Sequence, residues 1–138
     1  MSAGYSGTPL ARKLGIEDGH RVATLGAPSH FRTLLEPLPP RVHVQAGLRG
    51  SAAFDVLVIF VRTWRELRDR FERARARLEM DGGLWVSWPK QSSPLATALR
   101  ESDVRAHGLS TGLVDNKICA VDEDWSGLRF VVRLRDRV

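Results

Sequence analysis

The chain has 138 residues, 43% of them apolar and 27% charged, the size and balance of one globular domain with its own core. Its single cysteine, Cys119, and four scattered histidines (His20, His30, His43, His107) exclude an internal disulfide framework and any Cys- or His-spaced metal motif. No apolar run approaches the roughly 18 residues of a membrane helix and no basic–apolar leader opens the chain, so the expectation is a soluble cytoplasmic protein away from membranes.

Met1 to Gly7 is small and polar and reads as a loose arm of one domain spanning 1–138. Thr8-Pro9 then starts a short helix, with Thr8 as cap and Pro9 at its first position, and Gly15 ends it. Asp18-Gly19 is a turn, and Arg21 to Leu25 is a strand stopped by Gly26. A short helix from Ser29 to Leu35 follows, and Pro37, Pro39 and Pro40 forbid its continuation. Val42 to Ala46 reads as a second strand.

Asp55 to Val61 is apolar at both parities, so both faces of this strand should be buried, as in the centre of a parallel sheet. Trp64, Leu67, Phe71, Ala74 and Leu78 recur at spacings of three and four, which predicts a helix over Thr63 to Glu79, ended by Asp81-Gly82-Gly83. Leu84 to Trp88 is a strand stopped by Pro89. Ser93-Pro94 reads as the start of another short helix, and Ser102 to Thr111 as a longer one closed by Gly112. Lys117 to Val121 and Leu128 to Leu134 are two last strands, joined by a turn over Asp122 to Gly127 and therefore antiparallel. Strands alternating with helices predict an α/β fold: a three-layer, mostly parallel sheet ending in an antiparallel pair.

This order resembles a reduced Rossmann-like fold of the S-adenosylmethionine-dependent methyltransferases. Leu14 to Gly26 is similar to their approach to the first strand and its glycine loop. Leu78 to Val86 is similar to their helix–Gly-Gly–strand passage, and the terminal pair to their last two strands. The resemblance implies a methyl donor held by a glycine-rich loop, an acid before that loop and a second acid on the ribose. Here the loop reads Gly26-Ala27-Pro28, Ala23-Thr24 stands where the first acid belongs, and Val42 to Ala46 ends without the second. The expectation is therefore that no methyl donor is bound and no cofactor is needed.

A second resemblance, to an uncharacterised bacterial domain family, rests on three blocks. They are Gly4-Tyr5-Ser6-Gly7-Thr8-Pro9-Leu10, Trp88-Pro89-Lys90, and Gly112-Leu113-Val114-Asp115-Asn116-Lys117 running on to Trp125-Ser126-Gly127-Leu128. It implies a fold and no activity.

Ligands of open parallel sheets sit beyond the carboxyl ends of the strands. That edge collects Gly26 to Ser29, Arg62, Lys90, Ser92, Ser93, Asp122, Trp125 and Ser126. Ser92 and Ser93 at a helix start, with Lys90 and Arg62 near, suit a small anion. Equally, Ser93 only caps, Lys90 is solvated and Arg62 pairs with Glu66. Trp125 in a turn either stacks on a ligand or partner, or folds back as a lid. Asp122, Glu123 and Asp124 read as a solvated acidic turn rather than a metal site. Asp115-Asn116-Lys117 reads as a turn at the opposite edge, and Cys119 as a small buried hydrophobe.

The net charge of +5 and pI of about 10.3 invite a nucleic-acid reading. The excess sits on one segment, where Arg62, Arg65, Arg68, Arg70, Arg73, Arg75 and Arg77 alternate with Glu66, Asp69 and Glu72. Such interleaving makes an ion-paired solvated face, so nucleic acid is not the expected partner. The leading expectation is a non-catalytic binding or regulatory module for a protein or a small anionic ligand, with a homodimer open. The alternatives are a divergent methyltransferase or other small-molecule enzyme, and nucleic-acid binding through residues 62–77.

Overall fold

The computed structural model describes residues 7–138; all of the expected arm but Gly7, and with it Gly4-Tyr5-Ser6 of the first block, lies outside them. Six strands form one sheet: β1 (Arg21–Leu25), β2 (His43–Ala46), β3 (Phe54–Phe60), β4 (Leu78–Pro89), β5 (Val114–Ala120) and β6 (Trp125–Val131). Their spatial order is β2-β1-β3-β4-β6-β5. β2, β1, β3 and β4 run parallel, and β6 runs antiparallel between β4 and β5. Helices α1 (Leu10–Lys13), α2 (Phe31–Leu34), α3 (Trp64–Arg75) and α4 (Glu101–Ser110) complete the fold.

The predicted layers are present. From Val56 onward β3 alternates between two cores, because successive side chains of a strand point to opposite faces. Leu57, Ile59 and Val61 pack with Leu67, Phe71 and Ala74 of α3 and Val104 of α4. Val56, Val58 and Phe60 pack with Leu14, Ile16, Phe31 and Leu35 from the α1 and α2 side. Trp85 of β4 fills the second core and its indole Nε1–H donates to the Leu14 carbonyl at 3.0 Å. Gly108 explains itself in the same terms: a Cβ there would enter the Phe130 ring, so glycine lets α4 lie directly on β6.

Several local expectations are corrected. Pro9, extended at φ −56 and ψ 142, is the N-cap of α1, and no side chain caps it, so Thr8 does not. The third helix stops at Arg75, short of Glu79. The Phe54 N–H donates to the Arg77 carbonyl and Leu78 pairs with Phe54, which recruits Leu78 onward into β4. Gly82 and Gly83 are therefore strand residues rather than a helix stop. Ser93-Pro94 starts no helix: the Ser93 hydroxyl accepts the Leu95 N–H as a cap would, but only a turn follows. Asp115, Asn116 and Lys117 belong to β5, with a register shift between Asp115 and Lys117. Cys119 is half-buried on that edge strand, and burial pushes its thiol pKa up, which makes it a poor nucleophile. Trp125 and Ser126 open β6 instead of lying in the turn.

His107 of α4 packs edge-on against Phe71, ring centroids 5.1 Å apart. Burial first, and then the Arg68 charge, hold its pKa below the ordinary imidazole value. Between the unfolded value near 6.5 and the lower folded one, the unfolded chain binds the proton and the folded chain does not. Stability is then expected to fall as pH drops below about 6.5 and to level off below the folded pKa. Denaturant midpoints from pH 7.5 to 5 for the wild type and His107→Gln check this, the variant losing that part of the slope.

Candidate functional site

The sheet order places β2 on one side of β1 and β3 on the other. The chain therefore leaves the carboxyl ends of β1 and β3 in opposite directions, and a crevice opens between the two loops. Gly26 follows β1 and Arg62 follows β3. Between them lies a cleft of about 260 Å³, lined by Gly26 and Pro28 from the first loop, Phe60 from β3 and Arg62 just after it, Glu66 and Arg70 from α3, and Trp125 from β6.

Trp125 reaches this edge because β6 is antiparallel: its first residue pairs with Pro89, the last of β4. The indole is only 4% exposed, so of the two readings open in the sequence it takes the lid. It meets Phe60 edge-to-face at 5.1 Å, and Phe60 meets Phe31 likewise at 4.9 Å. The Arg62 guanidinium lies over the Trp125 ring, 5.7 Å from its centroid, within cation–π range.

Asp122 holds Trp125 in place. Its Oδ1 accepts the N–H groups of Asp124 at 2.8 Å and Trp125 at 2.9 Å, and its Oδ2 lies 2.9 Å from His30 Nε2. The Ser93 hydroxyl donates to Asp124 Oδ1 at 2.8 Å, and the Lys90 N–H donates to the Asp124 carbonyl at 2.8 Å. These groups tie the β5–β6 turn to the end of β4 and to the start of α2. The acidic turn is thus hydrogen-bonded rather than simply solvated, and among the described residues no cluster of metal ligands exists.

Glu66 and Arg70 form the other wall. Thr63 caps α3 by accepting the Glu66 N–H at 3.1 Å. The Glu66 carboxylate accepts the Arg62 backbone N–H at 2.7 Å through Oε1, and its Oε2 lies 3.5 Å from Arg70 Nη2. Its side-chain ion partner is thus Arg70, not Arg62. Arg70 Nη1 donates to the Phe60 carbonyl and occupies the space where a Cβ on Gly26 would stand. With φ at +71, Gly26 suits this close approach, and any other residue would be strained there.

Of the residues that the sequence places at this edge, Arg62 and Trp125 line the cleft, with Gly26 and Pro28 of the first loop. Lys90, Ser92, Ser93, Asp122 and Ser126 do not: Asp122 and Ser93 are spent on the turn, Ser92 is exposed, and Ser126 alternates to the opposite face from Trp125. Phe60, Glu66 and Arg70 went unpredicted as site residues. The spacing of Glu66 and Arg70 four apart was a usable signal, since such positions share one helix face, and Arg62 stands just before the Thr63 cap of that helix. Ser87 is also new: it is fully buried opposite Phe60, its hydroxyl has no partner among the described residues, and it stands outside the cleft lining.

No helix among the described residues is long and apolar enough to cross a membrane. The chain is similar in fold to solved methyltransferase structures. One is a ribosomal protein L11 methylase from Lactobacillus delbrueckii subsp. bulgaricus, with TM-score 0.61, 14% identity, 91% of this chain and 75% of that one covered. Another is a SAM-dependent methyltransferase from Aquifex aeolicus, with TM-score 0.63, 12% identity and coverages of 90% and 88%. A third is a fibrillarin from Aeropyrum pernix solved with natively bound S-adenosyl-L-methionine, with TM-score 0.60, 13% identity and coverages of 90% and 69%. At these identities the likeness is one of fold: a Rossmann-like sheet of the methyltransferase type. No curated protein matches the chain. Residues 47–134, more than half of the chain and including the cleft residues from Phe60 to Trp125 though not Gly26 and Pro28, match the model of a family described as protein of unknown function (DUF3052), and the chain belongs to that family.

Proposed function

We propose that this chain is a non-catalytic binding module on a methyltransferase-like sheet, its methyl-donor cradle filled by its own side chain. The observation that carries the reading is Arg70: its guanidinium lies on Gly26 and donates to the Phe60 carbonyl, in the space where a glycine loop would meet a ligand. Three further features support it. Pro28 offers no backbone donor. The cavity at the ends of β1 and β2, about 280 Å³ and lined by Thr24, Val44 and Ala46, has Arg32 as its one charged lining residue and no acid for ribose hydroxyls. The Gln45 amide is turned to the carbonyls of Gly47 and Arg49 at 3.1 Å each. The residues present do not fit the methyl donor.

Calorimetry of the full chain with S-adenosylmethionine and with S-adenosylhomocysteine is expected to give no saturable heat. Micromolar binding of either would overturn the reading and favour a divergent methyltransferase. Nucleic-acid binding through residues 62–77 is the weaker alternative, because three of the seven arginines there are already engaged and Glu66, Asp69 and Glu72 lie among them. Arg70 and Arg73 pair with Glu66 and Asp69, and Arg77 donates to the carbonyls of Ala52 and Leu48 at 2.8 and 2.7 Å.

A further inference from the structure

We propose that the cleft between Gly26, Arg62, Arg70 and Trp125 binds a small organic oxyanion, a carboxylate or a phosphate monoester, with the Arg62 guanidinium as its principal partner. This inference rests on the reading of the chain as a non-catalytic binding module and names the class of its ligand.

Position is the first argument. The cleft stands at the carboxyl ends of β1 and β3, where the sheet order reverses, and open α/β sheets take their ligands at such crevices.

Charge is the second. The lining holds two guanidiniums and one carboxylate. Glu66 is already committed, with Oε1 on the Arg62 backbone N–H and Oε2 toward Arg70. The nearby Asp122 is also committed, both its oxygens being bound to turn amides or to His30. Arg70 spends one donor on the Phe60 carbonyl. The Arg62 side chain, by contrast, joins no ion pair among the described residues and rests only on the Trp125 face. A guanidinium so held presents a planar fork of N–H donors, which matches two oxygens of a carboxylate or phosphate.

Size and wall chemistry are the third and fourth. A volume of about 260 Å³ falls just below the roughly 300–1,000 Å³ of pockets for drug-sized ligands, which favours a compact ligand. Pro28, Phe60 and Trp125 form the apolar part of the lining beside the arginines, which a bare inorganic ion would leave uncovered. The ligand is therefore an oxyanion carrying an apolar body.

Benzoate, phenyl phosphate and inorganic phosphate are titrated calorimetrically into the full chain at low ionic strength, with S-adenosylmethionine as a fourth titrant. Benzoate or phenyl phosphate is expected to bind, at least tenfold tighter than inorganic phosphate; which of the two binds tells carboxylate from phosphate monoester. Arg62→Gln is expected to weaken binding at least tenfold. Arg62→Lys should keep part of it, as a point charge without the fork. Arg62 is exposed, so both variants should melt with the wild type. Failure of the wild type to bind either organic probe overturns the inference, as does Arg62→Gln binding undiminished or inorganic phosphate binding equally well. If nothing binds, the inference falls and the non-catalytic reading stands. Heat from S-adenosylmethionine alone sinks both.

Discussion

Trp85→Ala is expected to destabilise the protein by about 3–5 kcal/mol, the usual loss for truncating a buried aromatic residue. Trp85 is fully buried in the second core. Gly127 on β6 lies under its ring, where a Cβ would stand 3.1 Å from Cε3, so the cavity left by truncation is roofed by strand backbone that cannot collapse into it. The variant also removes the indole N–H from the Leu14 carbonyl, which frees the end of α1. Domains of this kind are stable by roughly 5–15 kcal/mol in all, so the loss takes a large share of the total. Chemical denaturation of the wild type, Trp85→Ala and Trp85→Phe measures it. Trp85→Phe keeps most of the ring and should lose clearly less; a loss under about 1 kcal/mol for Trp85→Ala would show that the second core is not what holds α1.

Asp122→Ala should produce the next largest effect, a loss of about 2–4 kcal/mol, because one carboxylate serves three partners. Truncation leaves the N–H groups of Asp124 and Trp125 without their acceptor and cuts the link to His30. Trp125 is buried, so its orphaned amide has little water to turn to. The damage reaches the cleft, since Trp125 is the surface under Arg62. Asp122→Asn keeps Oδ1 as acceptor and should recover most of the stability. Denaturant midpoints give the energies, and equal losses for the two variants would contradict the account.

The two results would separate what could be read in the residues from what could not. β3 was legible because its apolar residues occupy both parities, a pattern that only a strand covered on two faces needs. The stripe on α3 was legible for the same kind of reason, and the antiparallel last strands followed from the short connection between them. The ends of elements were harder. Leu78 continues the helical stripe of α3, yet it is taken into β4 by a partner, Phe54, that lies far back in the chain. Ser93 carries a helix-start signal, yet its hydroxyl is claimed by Asp124, 31 residues on.

The candidate site was half legible. Arg62 and Trp125 were identified from their places at strand ends. Lys90, Ser92, Ser93, Asp122 and Ser126 share that edge by topology but not the cleft. Arg70 was read as a member of an ion-paired solvated face, and its pair with Glu66 is real. What the face reading hides is the second bond, to the Phe60 carbonyl, which turns the guanidinium inward over Gly26.

The sequence by itself determined the α/β class, the order of strands and helices, the two buried faces of β3 and the weakness of the glycine loop. Those properties follow from local periodicity and from the backbone limits of Gly and Pro. Tertiary structure alone decided where each polar group makes its contacts: Asp122 bonded to a turn, Arg70 bonded to the Phe60 carbonyl and packed on Gly26, Arg62 stacked on Trp125. A charged side chain goes wherever desolvation is best offset, and the groups that offset it here come from residues 26, 60–70 and 122–125. No local pattern joins those segments. Only the parallel register of β1 with β3, and the antiparallel return of β6, bring them to one edge.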